Sequence, residues 1–216
     1  MDDAIDSAGT GTAMTRGAAV LGLWSGILCA FLAVSFTGLM ALDVLGLFHG
    51  TLQLVPVLLL APCFVTLVCC IHACAPAEKK FWALLALGFS GPYVVIVSFN
   101  YLMQLTVVHQ SPAMYPWLAM VFRPDSMFGS LELLGYGWQA FALLALVPVF
   151  RGQAGDGVVR AIFLVNFILA MAGTVFYITT GNPMHPLVIL SLGFWCVGFP
   201  VASVIVGARL WGTVTG

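Results

Sequence analysis

Apolar residues run for about twenty positions or more six times along this chain, which is the length a transmembrane helix needs. The runs cover roughly 18–42, 52–74, 81–109, 128–150, 158–180 and 186–210. What separates them is turn chemistry. Ala75-Pro76-Ala77-Glu78-Lys79-Lys80 ends the second run, and the Gly-rich stretch from Arg151 to Gly157 ends the fourth. Gly181-Asn182-Pro183 ends the fifth, and a longer polar segment, Gln110 to about Ser126, follows the third. Gly91-Pro92 lies inside the third run, where proline removes a backbone hydrogen bond and is expected to kink the helix. The pattern predicts an all-α integral membrane bundle of six transmembrane helices over residues 18–212, preceded by a disordered tail over 1–17.

Charge then sets an orientation. Arg16, Lys79, Lys80, Arg151, Arg160 and Arg209 fall on one side of a six-span arrangement, and Arg123 alone falls on the other. Basic residues collect on the cytoplasmic side, so both termini are expected there, in a multi-pass protein of the plasma membrane. The outer loops are then 43–51, 110–127 and 181–185, carrying Asp43, His49, Arg123, Asp125 and His185.

Composition agrees with the bilayer as solvent: 62% of residues are hydrophobic and 7% charged, against about 25% charged in soluble domains. No basic block is present, which argues against nucleic acid as a partner. The first segment has an acidic start where a signal peptide has a basic one, and no lipidation motif stands out. The six cysteines (Cys29, Cys63, Cys69, Cys70, Cys74, Cys196) lie in or beside apolar runs without CxxC or zinc spacing, and read as small packing residues. The expected partners are therefore lipid, a lipophilic small molecule and other membrane subunits.

Polar side chains in hydrocarbon are costly and turn toward a bundle interior. On the third run Tyr93, Asn100 and Gln104 share an arc of about 40° in helical projection. Glu132, Tyr136 and Gln139 share about 60° on the fourth, and Asn166, Tyr177 and Thr180 align on the fifth. Gln104 and Glu132 both lie roughly 6–7 Å below the outer helix ends, while Asn100 and Gln139 lie near mid-membrane. The two stripes are thus expected to meet rung by rung, Asn100 and Gln104 facing Gln139 and Glu132. Glu132 is the one acid placed inside a span, and the candidate acid or base. Low-dielectric surroundings disfavour its charged form unless a cation such as Arg123 or His109 pairs with it. Tyr93, Asn100, Gln104, Tyr136, Gln139, Asn166 and Tyr177 are the candidate ligand-binding residues; the competing reading makes them interhelical hydrogen-bonding glue.

Other chemistries find little support. His49, His109 and His185 come from separate loops without ligand spacing, so no metal is expected. No histidine is central in a span for haem, and no lysine for a retinal Schiff base. No cofactor is expected, and no nucleophile triad or phosphate loop is present.

The stretch from Asn100 through Gln104 to Val108, followed by Leu131-Glu132-Leu133-Leu134-Gly135-Tyr136, resembles a pattern in small uncharacterised prokaryotic polytopic membrane proteins. The likeness covers less than a third of the chain. It implies a six-helix bundle and brings no activity, substrate or cofactor. Three functions are then open. One is a pocket between the third, fourth and fifth helices for a lipophilic small molecule, with acid–base chemistry on a lipid or isoprenoid as its catalytic form. The second is a small transporter or proton-coupled carrier. The third is a non-catalytic subunit of a larger membrane complex.

Overall fold

The computed structural model describes residues 3–47, 51–108, 127–153, 155–182 and 185–215, with side chains for all of these except 3–14, 51, 108 and 214. The described residues form six α-helices and no strand: α1 (Asp3–Val44), α2 (Leu54–Cys74), α3 (Lys80–Met103), α4 (Met127–Leu146), α5 (Asp156–Thr180) and α6 (Pro186–Thr215). Five of the helical stretches are long and apolar enough to cross a membrane: Thr15–Val44, Leu54–Cys74, Ala77–Val107, Asp156–Thr180 and Pro186–Thr213. α4 is not among them. Glu132, Tyr136, Gln139 and the glycines Gly129, Gly135 and Gly137 dilute its apolar character.

Consecutive helices pack as neighbours, and α1 closes the circle against α6. α2 also touches α6 across the middle. Phe64, Leu143, Leu146, Phe150, Phe163 and Phe199 fill the interior. Edge-on ring contacts such as Phe150–Phe163, 5.8 Å between centroids, suit the aromatic quadrupole. Without water to drive helices together in lipid, close approach of small residues does much of the holding. The α1–α6 seam shows it. A Cβ on Gly26 would stand 2.5 Å from the Ser203 carbonyl oxygen, and one on Gly207 would stand 3.0 Å from the Leu23 carbonyl oxygen. Gly22 and Gly26 are one turn apart, as are Ser203 and Gly207, so two small-residue pairs interlock.

One end of the bundle gathers charge. Arg209, on the last turns of α6, pairs with Asp156 at the start of α5, 3.0 Å apart. The same guanidinium donates to Gln153 Oε1 at 3.0 Å and lies 4.7 Å from the Phe150 ring centre. Lys79 Nζ donates to the Arg151 carbonyl at 3.1 Å, tying the α2–α3 turn to the α4–α5 loop. Arg16, Lys80 and Arg160 belong to this end by their place in the alternating helices.

Helix boundaries depart from the hydrophobic pattern in three places. α1 begins at Asp3, so the backbone is helical through most of the segment expected as a tail. α4 ends at Leu146 rather than near 150, because Pro148 has no N–H to continue the ladder. Val147 and Val149 instead donate to Leu144 and Leu146, the tighter three-residue spacing of a fraying end. α3 runs continuously through Pro92, and its irregularity lies at the other end, where Gln104–Val108 widen into a π-turn. Gly181, at φ 62°, takes the left-handed conformation that stops α5, and its N–H returns to Tyr177 O at 2.8 Å.

Candidate functional site

A cavity of about 110 Å³ opens between α4, α5 and α6, in the half of the bundle away from the basic end. Glu132, Tyr136, Asn166 and Tyr177, all singled out from the sequence, line it. Trp195, Ser191 and Thr174 add polar atoms, while Gly129, Gly137, Ala170 and Gly173 keep the walls shallow. The pocket was expected between the third, fourth and fifth helices. α6 takes the place of α3, because α5 and α6 pack side by side while α3 presses its own polar face into the bundle.

The polar face of α3 is packed apart from the cavity. Tyr93, Asn100 and Gln104 are buried, at 0%, 0% and 2% exposure, and none of them lines the cavity. The Tyr93 ring meets Phe64 edge-on at 5.4 Å and Tyr136 at 6.3 Å, but its hydroxyl has no partner among the described residues. Neither amide atom of Asn100 or Gln104 has a hydrogen-bond partner among the described residues. The rung-by-rung match with Glu132 and Gln139 does not form. Gln139 reaches instead to α6, accepting from Trp195 Nε1 at 2.9 Å.

Glu132 is held by a residue that the polar stripes passed over. The Tyr101 hydroxyl donates to Glu132 Oε1 at 2.6 Å and lies 3.4 Å from the Tyr136 hydroxyl. Tyr101 is buried to 1% exposure and stands one residue, about 100° of helix, from Asn100. α3 turns that side toward α4 because Gly135 has no side chain. A Cβ there would come within 2.7 Å of Val97 Cγ2. Among the described residues no Lys, Arg or His pairs with Glu132. His109 and Arg123, considered as partners, lie outside the described residues, as do His49 and Asp125. His185 is described, and its ring stacks on Phe176 with centroids 4.5 Å apart.

Trp195 was also missed. It lies roughly 14 Å along α6 from Pro186, a depth where an indole N–H needs a partner. Its ring stacks on Phe199 at 5.3 Å and meets Tyr136 edge-on at 5.2 Å. The Gln139 bond and these two rings fix the floor of the cavity. Asn166, buried to 6% exposure on α5, presents an amide to the same space. Below Trp195 the interior turns apolar. The next gap, about 10 Å³, is lined by Phe64, Leu143, Phe163 and Phe199 among others. No family model matches the chain, and neither does any curated protein or solved structure.

Proposed function

We propose that this chain spans the plasma membrane six times, with both termini cytoplasmic, and holds a lipophilic small molecule in the cavity between α4, α5 and α6. Six spans follow from counting α4 with the five helical stretches that are long and apolar enough to cross, since it packs between α3 and α5 as a neighbour of both. The orientation rests on the basic end of the bundle. A cysteine at Gly157, exposed and with no atom near its would-be Cβ, tests it. In a background lacking the native cysteines it should react with an impermeant maleimide only after cells are opened. Reaction in intact cells would reverse the topology.

The observation that carries the binding reading is a carboxyl, fixed by a tyrosine, on the wall of an otherwise mostly apolar cavity in the membrane-spanning region. Sites of this make-up use apolar walls for affinity and a few fixed polar atoms for orientation. Acid–base chemistry on a bound lipid or isoprenoid would run through the same carboxyl, with the Tyr101 and Tyr136 hydroxyls as the adjoining proton carriers. A carrier would need a polar route to the basic end, and the apolar packing below Trp195 offers none among the described residues.

Native mass spectrometry of the protein released from non-ionic detergent, with extraction of what co-purifies, is the direct test. A bound lipophile should accompany the native chain and be lost from Ala170→Leu, which fills the cavity. The same adducts on both proteins would place binding elsewhere.

A further inference from the structure

We infer that the ligand's polar end is a small ammonium cation, the head of a lipophilic amine, with Glu132 as its counter-ion; this rests on the cavity being a lipophile site. Three features of the cavity converge on that class. The first is charge. Among the described residues Glu132 is the one carboxyl on the cavity wall, and no basic side chain shares the wall with it. A phosphate or carboxylate ligand would meet a like charge there with nothing to offset it, and would be repelled.

The second feature is how the carboxyl is held. The Tyr101 hydroxyl donates to Oε1 at 2.6 Å and fixes the carboxyl against the cavity wall. One phenol satisfies only part of a carboxylate's accepting capacity. A charge surrounded by hydrocarbon calls for a partner of opposite sign. Within the described residues the protein supplies none, so the cavity is where a cation would stand.

The third is the wall around it. Tyr136, Tyr177 and Trp195 bring three aromatic rings to the same cavity as the carboxyl. Aromatic rings attract cations through their quadrupole, and recognition of alkylated ammonium groups commonly uses several rings together. Trp195 and Tyr136 are already set edge-to-face at 5.2 Å, so little ordering is left for binding to bring about. Size agrees as well. A cavity near 150 Å³ holds a benzene ring, and about 110 Å³ suits a trimethylammonium-sized group rather than a whole lipid. The tail would leave between α4 and α5, the most loosely packed pair of neighbours in the ring.

The test uses the full chain in non-ionic maltoside micelles and three single-chain probes of equal length: hexadecyltrimethylammonium, hexadecan-1-ol and hexadecanoate. Native mass spectrometry reads the bound fraction of each. The wild type should bind the cation at least about tenfold more tightly than the alcohol, and hexadecanoate least. Glu132→Gln keeps the size and the Tyr101 bond but removes the charge. It should erase most of that preference, bringing cation binding down toward that of the alcohol. Should Glu132→Gln not fold, Ala170→Phe decides: it fills the cavity, leaves the carboxyl in place, and should lose the cation. Cation retained by Ala170→Phe overturns the proposal. So does an alcohol bound as tightly as the cation, or a preference that survives Glu132→Gln. In those last two cases the lipophile site still stands. If none of the probes binds saturably, the lipophile reading fails and the cation with it.

Discussion

Glycine does opposite things at the two sides of this bundle. At the α1–α6 seam it lets backbones touch: Gly26 sits against Ser203 and Gly207 so closely that even a methyl group would collide with main-chain atoms. On α4, a Cβ at Gly137 would find only Met171 Cε, 3.9 Å away, and otherwise open space. The first glycine is glue and the second is room. In a membrane the two roles arise from the same rule. Lipid fills the outside equally well in both cases, so only van der Waals contact between helices decides whether a missing side chain becomes a contact or a cavity.

That contrast can be broken most sharply by making one substitution at both places. Gly26→Val should cost about 3 kcal/mol, because overpacking against backbone cannot be relieved by a rotamer change. Gly137→Val should leave stability within about 1 kcal/mol of wild type while reducing binding of whatever the cavity holds. Unfolding in bicelles by steric trapping measures both. Equal losses at the two positions would dissolve the distinction. A smaller effect is expected from Tyr101→Phe, which leaves a carboxylate without its fixed donor. A hydrogen bond to a charged group contributes about 1.5–3 kcal/mol, so the loss should fall near the lower end of that range, with Glu132 partly open to the cavity. No change in stability or in ligand retention would remove Tyr101 from the site. The smallest effect belongs to Gln139→Met. It keeps the volume and deletes the partner of the Trp195 indole, at about 0.6 kcal/mol for an average hydrogen bond within a membrane. A shift in the Trp195 fluorescence, read in a variant with Trp195 as the sole tryptophan, should accompany it.

The seam itself was open to inspection in the sequence. Gly22-Leu23-Trp24-Ser25-Gly26 and Ser203-Val204-Ile205-Val206-Gly207 both place small residues four apart, the spacing that brings membrane helices together. Periodicity could not say that these two stretches, at opposite ends of the chain, would meet. The site shows the same limit from the other side. Glu132, Tyr136, Asn166 and Tyr177 were legible because a polar group in an apolar run is conspicuous, and helical projection needs only local geometry. Tyr101 and Trp195 were passed over because each is largely apolar and its one polar atom matters only once a partner is known.

What the sequence determined by itself was an apolar, all-helical chain, the number of its helices and the gathering of basic residues at one end. These are set by run length, turn residues and charge, all of them local. Which faces meet was decided only in the tertiary structure. Gly135 brings α3 against α4 on the Tyr101 side, and the closure of α6 on α1 and α5 sets Trp195 under Tyr136. As a result Asn100 and Gln104, the two amides of the α3 polar stripe, are packed away from the cavity, while a tyrosine beside them holds the carboxyl. The physical reason is that helix rotation in a bundle is governed by where small side chains permit the closest contact. Polar atoms then take whatever partners that packing leaves within reach.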